Sequence, residues 1–120
     1  MAKVVHVNGE ILGITGKEWN LIDSGNNVKK FSKLFRKYNE DILEIENNPL
    51  TITDFLVGSI PNILKDMLGL TKEERKSLDD YSFSDQYEIF REMANKFLGL
   101  EMAPMEGEEV AEDPKKPEED

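Results

Sequence analysis

The apolar positions along this chain change their period once. The runs Lys3-Val4-Val5-His6-Val7 and Glu10-Ile11-Leu12-Gly13-Ile14 are rich in β-branched residues and separated by Asn8-Gly9. Asn-Gly supplies the two positive-φ positions of a type I′ turn, so the pattern predicts a β-hairpin over about 3–14. A lone hairpin is marginal in water; it either lies on the body or pairs with another chain through its open edges. Residues 16–27, with Trp19, Leu21 and Ile22, read as a connector whose short helix or turn pins the hairpin to the core. From Val28 the spacing becomes three and four: Val28, Phe31, Leu34, Phe35, Tyr38, Ile42 and Ile45 mark one face of an amphipathic helix. Asn26 or Asn27 is its expected N-cap, and Asn47-Asn48-Pro49 its end.

Residues 51–69 form the most apolar stretch, with Thr53 as expected N-cap and Gly69 as the stop. Pro61 inside it predicts either two short helices, with Ser59 capping the second, or one kinked helix. Thr71-Lys72-Glu73-Glu74 has the capping-box pattern and opens a short helix through Leu78. Ser82 or Ser84 caps a last helix over 85–98, closed by Gly99. The expected core comprises Phe31, Leu34, Phe35, Tyr38, Phe55, Ile60, Leu64, Phe90, Phe97 and Leu98. The fold class is therefore mainly α: four to five helices with an N-terminal hairpin, one domain over 1–100.

Composition changes the picture at the C-terminus. Residues 101–120 hold nine Asp or Glu, two Lys and three Pro, a net −7 out of −10 for the whole chain. Such a segment buries too little apolar surface to offset its ordering entropy, so it is expected to be a disordered acidic tail. The acidic balance argues against nucleic acid as a partner. No apolar run approaches the roughly twenty residues of a membrane span, and Met1-Ala2-Lys3-Val4-Val5-His6 is too short for a signal peptide. With no cysteine there is no disulfide or thiolate chemistry, which suits a reducing compartment. The expected setting is cytoplasmic.

Chemistry is sparse. His6 is the only histidine, with no cysteine or second histidine to share a metal, and reads as a strand residue. The acidic pairs Asp79-Asp80 and Glu44-Glu46 lack the alternating acids and central glycine of a calcium loop, and read as solvated faces or caps. Gly9, Gly13, Gly16 and Gly25 form no phosphate loop. Lys29, Lys30, Lys33, Arg36 and Lys37 lie on the helix face opposite Phe31 and Phe35, so base stacking and phosphate contact would not coincide. They read as a solvated face or a patch for an acidic partner. Cations early in the helix and Glu40, Asp41, Glu44 and Glu46 later oppose the helix dipole at both ends. That polarity calls for a neighbouring surface of opposite sign. No catalytic, cofactor-binding or metal residue is assigned, and the chain is expected not to be an enzyme.

The hairpin around Asn8-Gly9, the long amphipathic helix, and the stretch Asn48-Pro49-Leu50-Thr51-Ile52-Thr53-Asp54-Phe55-Leu56 together resemble the tail assembly chaperones of long-tailed bacteriophages and prophages. The segment Asp79-Asp80-Tyr81-Ser82-Phe83-Ser84-Asp85-Gln86-Tyr87-Glu88-Ile89-Phe90 before a last helix and an acidic tail is also similar. The resemblance covers about residues 1–100 and rests on pattern and element order. It implies a non-enzymatic, mostly helical protein of the bacterial host cytoplasm that binds the tape measure protein or tail tube subunits, with homo-oligomers possible. It also implies a longer frameshifted product, with 101–120 as connector and the Lys115-Lys116 codons as slippery site. Met67, Met93, Met102 and Met105 offer adaptable client contacts, although the helical spacing of Met67 and Met93 fits the core better. Two other classes fit the composition: a small acidic regulatory or nucleic-acid-mimicking protein, and a minor structural virion protein.

Overall fold

The computed structural model describes residues 2–103. An antiparallel pair, β1 (Val4–Asn8) and β2 (Glu18–Ile22), precedes four helices: α1 (Gly25–Ile42), α2 (Pro49–Leu68), α3 (Lys72–Leu78) and α4 (Phe83–Leu98). The mainly helical body with an N-terminal two-stranded ribbon is the expected class. The ribbon itself spans 4–22 rather than 3–14, and its register pairs Val5 with Leu21 and Val7 with Trp19.

The reason lies at Asn8-Gly9. Asn8 is extended, and its side chain accepts the Glu10 amide at 3.0 Å, which starts a 3-10 turn over Gly9–Leu12 in place of the I′ turn. Leu12 and Ile14 then drop into the core as loop side chains instead of forming a strand. Gly9 closes the loop, donating to the Lys17 carbonyl and accepting from the Ile14 amide, each at 2.8 Å. The residues read as a connector, Trp19, Leu21 and Ile22, are the second strand. Val5 and Val7 are buried with Trp19 and Leu21 on the same face; His6, Glu18 and Asn20 face outward. One carbonyl on each outer edge is occupied: Lys96 Nζ donates to Val4 O and Asn27 Nδ2 to Ile22 O.

The helix boundaries shift for identifiable reasons. Ser24, not Asn26 or Asn27, caps α1 by accepting the Asn27 amide, and α1 ends at Ile42, three residues short of Ile45. Asn48, not Thr53, caps α2, accepting the Leu50 and Thr51 amides, with Pro49 at the first helical position where a missing N–H costs nothing. Pro61 neither splits α2 nor needs Ser59 as a cap. Its ring is buried, and the carbonyl it orphans belongs to the half-exposed Val57. The Thr71–Glu74 capping box and the left-handed Gly69 and Gly99 stand as expected. Ser82 caps α4, which begins two residues before Asp85.

α4 is the keystone, packed against α1, α2 and β1. Its Phe90 meets Phe31, Phe35 and Tyr38 of α1 with ring centroids 5.7, 5.8 and 5.1 Å apart, and Tyr38 continues to Phe55 of α2 at 5.6 Å. Of the expected core, Phe31, Tyr38, Ile60, Leu64, Phe90 and Phe97 are buried, while Leu34, Phe35, Phe55 and Leu98 are partly buried against it. Met67 and Met93 are core residues. Burial raises the Tyr38 hydroxyl pKa to about 12, with nearby Tyr87 adding to the rise. An unfolded tyrosine ionises near 10, so above that pH the unfolded chain releases a proton that the folded chain keeps. Stability should be intact below pH 10 and fall between 10 and 12, by at most about 1.4 kcal/mol per pH unit for one proton. Alkaline melts of Tyr38→Phe should show a shallower decline than the wild type.

The body does not stop at residue 100. Tyr87 donates its hydroxyl proton to the Ala103 carbonyl at 2.8 Å, Arg91 Nε donates to Met102 O at 3.0 Å, and Met102 packs on the core. Residues 101–103 therefore belong to the folded unit, correcting the tail boundary of 101. The expectations for 104–120, including Met105 and Lys115-Lys116, lie outside the described residues. Ending the chain after Leu100 instead of after Ala103 should cost about 1–2 kcal/mol for two hydrogen bonds and a half-buried methionine. Paired urea melts measure that difference, and equal midpoints would show that 101–103 contribute nothing.

Candidate protein-interaction surface

The chemical candidates stay apart in space. His6 lies on the exposed face of β1, its Nδ1 2.6 Å from Asn20 Oδ1 and its Nε2 3.4 Å from Glu18 Oε1. Asp79 caps the end of α3 and pairs with Lys65 at 3.3 Å, while Glu44 and Glu46 follow α1 in the exposed connection. Among the described residues no three His, Asp or Glu side chains gather to hold a metal ion. Gly13 and Gly16 serve as positive-φ turn residues. Glu74 is fully engaged: one oxygen accepts the Thr71 amide and the other accepts Lys17 Nζ at 2.6 Å. The Lys17 hydrogen bond, followed by Thr71, lowers the pKa of its carboxyl.

The larger surface groove, about 720 Å³, lies between the ribbon and α4 and is bordered by His6, Ile11, Arg91, Asn95 and Met102. Two of its acids, Glu88 and Glu92, are paired. Arg91 forks the Glu88 carboxylate at 2.8 and 2.9 Å while holding the Met102 carbonyl, and Glu92 pairs with Lys96 at 2.8 Å. The groove is the seam that secures residues 101–103.

α1 presents a different kind of surface. At 100° per residue its five cations fall within an arc of roughly 120° on the face opposite Phe31 and Tyr38. All five are exposed. Among the described residues only Lys37 makes an ion pair, with Asp41 at 2.9 Å one turn on. The first turn of α1 holds no acid and the last turn no base, and the five cations spread across the middle of the helix instead of gathering at its start. Among the described residues no carboxylate pairs with Lys29, Lys30, Lys33 or Arg36, while Asp41 and Glu40 lie beside Lys37.

A second groove of about 340 Å³ runs beside that face, bordered by Phe35, Leu43, Leu98 and Leu100 and by one charge of each sign, Arg36 and Glu40. Arg36 belongs to both the cationic row and the groove. Leu43 is 83 % and Leu50 78 % exposed, which extends apolar surface around the α1–α2 connection. The sequence located the cations; the apolar border was missed because Leu43 and Leu100 lie just past helix ends, where periodicity gives no signal. Cations beside an apolar trough suit an acidic amphipathic segment. No helix among the described residues is long and apolar enough to cross a membrane. No protein-family model, curated protein or solved structure matches this chain.

Proposed function

We propose that this chain is a non-enzymatic binding protein that engages an acidic, amphipathic segment of another protein along the cationic face of α1. One observation carries the reading: four exposed cations, Lys29, Lys30, Lys33 and Arg36, have no carboxylate partner among the described residues, and Arg36 at the end of that row borders a largely apolar groove. Charged surface of one sign steers association and selects partners by complementarity. The adjacent Phe35, Leu98 and Leu100 supply apolar area that charge alone lacks. The order of elements, which resembles that of phage tail assembly chaperones, supports a narrower reading. In it the client is the tape measure protein or a tail tube subunit, engaged in the cytoplasm of the bacterial host during morphogenesis.

Co-expression with the tape measure and tail tube proteins of the same genome tests this. The full chain should co-purify with one of them, and the triple variant Lys29→Glu, Lys33→Glu, Arg36→Glu should lose the complex while keeping its melting temperature. Binding unaffected by the charge reversal would move the site elsewhere. Mass spectrometry of finished particles separates an assembly factor, which should be absent, from a minor structural protein, which should be present.

A further inference from the structure

The chain contains its own acidic segment, and its charge and length suit the α1 face. Residues 104–120 hold eight carboxylates and two lysines, a net −6, and five of the carboxylates fall between Glu106 and Asp113. Met105 precedes that cluster and Val110 lies within it, and both give it apolar side chains of a size to enter the Phe35–Leu98 groove. Reach is ample. Seventeen residues extend up to roughly 55–60 Å, against a longest molecular dimension of 43 Å. The point of departure is fixed, because Tyr87 and Arg91 hold residues 102 and 103 against α4, the helix that packs on α1.

We propose that residues 104–120 dock on the cationic face of α1 and occupy it in the absence of a client. A tether of this length keeps the segment at an effective concentration on the order of millimolar, so weak, screened contacts suffice to fill the site. A client must then displace the tail, which confines stable binding to segments that add apolar contacts to charge. The proposal rests on the α1 face being the binding surface, but it is tested without any client.

The test uses the full chain. Because the protein has no cysteine, Ala111→Cys introduces a single thiol and removes no charge; a nitroxide spin label attached there broadens nearby amide signals. At low salt the amides of Lys29, Lys33 and Arg36 should lose intensity severalfold relative to those of α3. The loss should reverse between about 0.01 M and 1 M salt, as the Debye length contracts from about 30 Å to about 3 Å. The triple charge reversal on α1 should abolish it while the rest of the spectrum is unchanged. Broadening spread evenly, centred on another face, or unaltered by salt would overturn the proposal. So would broadening seen only when labelled and unlabelled molecules are mixed, because the contact would then be between copies. A failed client pull-down with localised broadening would count against the proposed function alone.

Discussion

Replacing Phe90 with alanine should destabilise the protein by about 3–5 kcal/mol, the range for truncating a large aromatic in a core that cannot collapse around the void. Phe90 has no exposed surface and joins three helices at one point. It packs on Phe31, Phe35 and Tyr38 of α1, and through Tyr38 it connects to Phe55 of α2. Aromatic pairs at these separations contribute about 0.5–1.5 kcal/mol beyond the area they bury, so the loss combines cavity and pairing. Urea melts give the value directly. A change below 1 kcal/mol would mean that the cluster repacks and that α4 is not the keystone. Phe83→Ala is the internal comparison: Phe83 is only partly buried, touching Tyr87 with centroids 6.4 Å apart, and should cost distinctly less.

Gly9→Ala should come second, at about 1–3 kcal/mol, because it forces atoms into a site already filled. A methyl group there would meet the Ile14 carbonyl oxygen and lie 2.7 Å from the Lys17 carbonyl oxygen. Both are backbone atoms, and the second accepts the hydrogen bond from Gly9 itself. Relief requires opening the loop that places Leu12 and Ile14 in the core. Gly13→Ala provides the contrast. Its obstacle is the ring of Tyr81, a half-exposed side chain that can swing aside, so the residual cost is that of a left-handed backbone. Equal effects at the two positions would show that backbone crowding at Gly9 is not what matters.

These two glycines also mark where sequence reading succeeds and fails here. Helices were legible because their faces repeat over many turns and their ends carry short-range chemistry, as in the Thr71–Glu74 capping box and the stops at Gly69 and Gly99. The ribbon was misregistered because Asn8-Gly9 fits both an I′ turn and the start of a 3-10 turn. What decides between them is the burial of Leu12 and Ile14 against helices far along the chain. A signal for the true second strand existed: Glu18-Trp19-Asn20-Leu21 alternates polar and apolar, and it was outweighed by the more β-branched run before it. Gln86 was invisible for a related reason. Its polarity suggests the solvent face, yet it is 1 % exposed and donates to the Leu78 carbonyl at 2.9 Å, tying α3 to α4. The cations of α1 were legible as a patch, but only the packed helix ends reveal the trough beside them.

The contact between Lys96 and Val4 joins residues 92 positions apart, and it has a consequence for how the protein is made. The first strand rests on the last helix, so vectorial synthesis delivers β1 long before its support exists. About seventy-five residues separate the end of the ribbon from the end of α4. At roughly 5–20 residues per second the nascent ribbon waits some 4–15 seconds with the apolar faces of Val5, Val7 and Trp19 uncovered. A two-stranded ribbon does not hold itself together over that interval. Folding of the body is thus largely deferred until translation has passed Leu98, and the ribosome releases α1 and its cations while the ribbon is still unpaired with its platform.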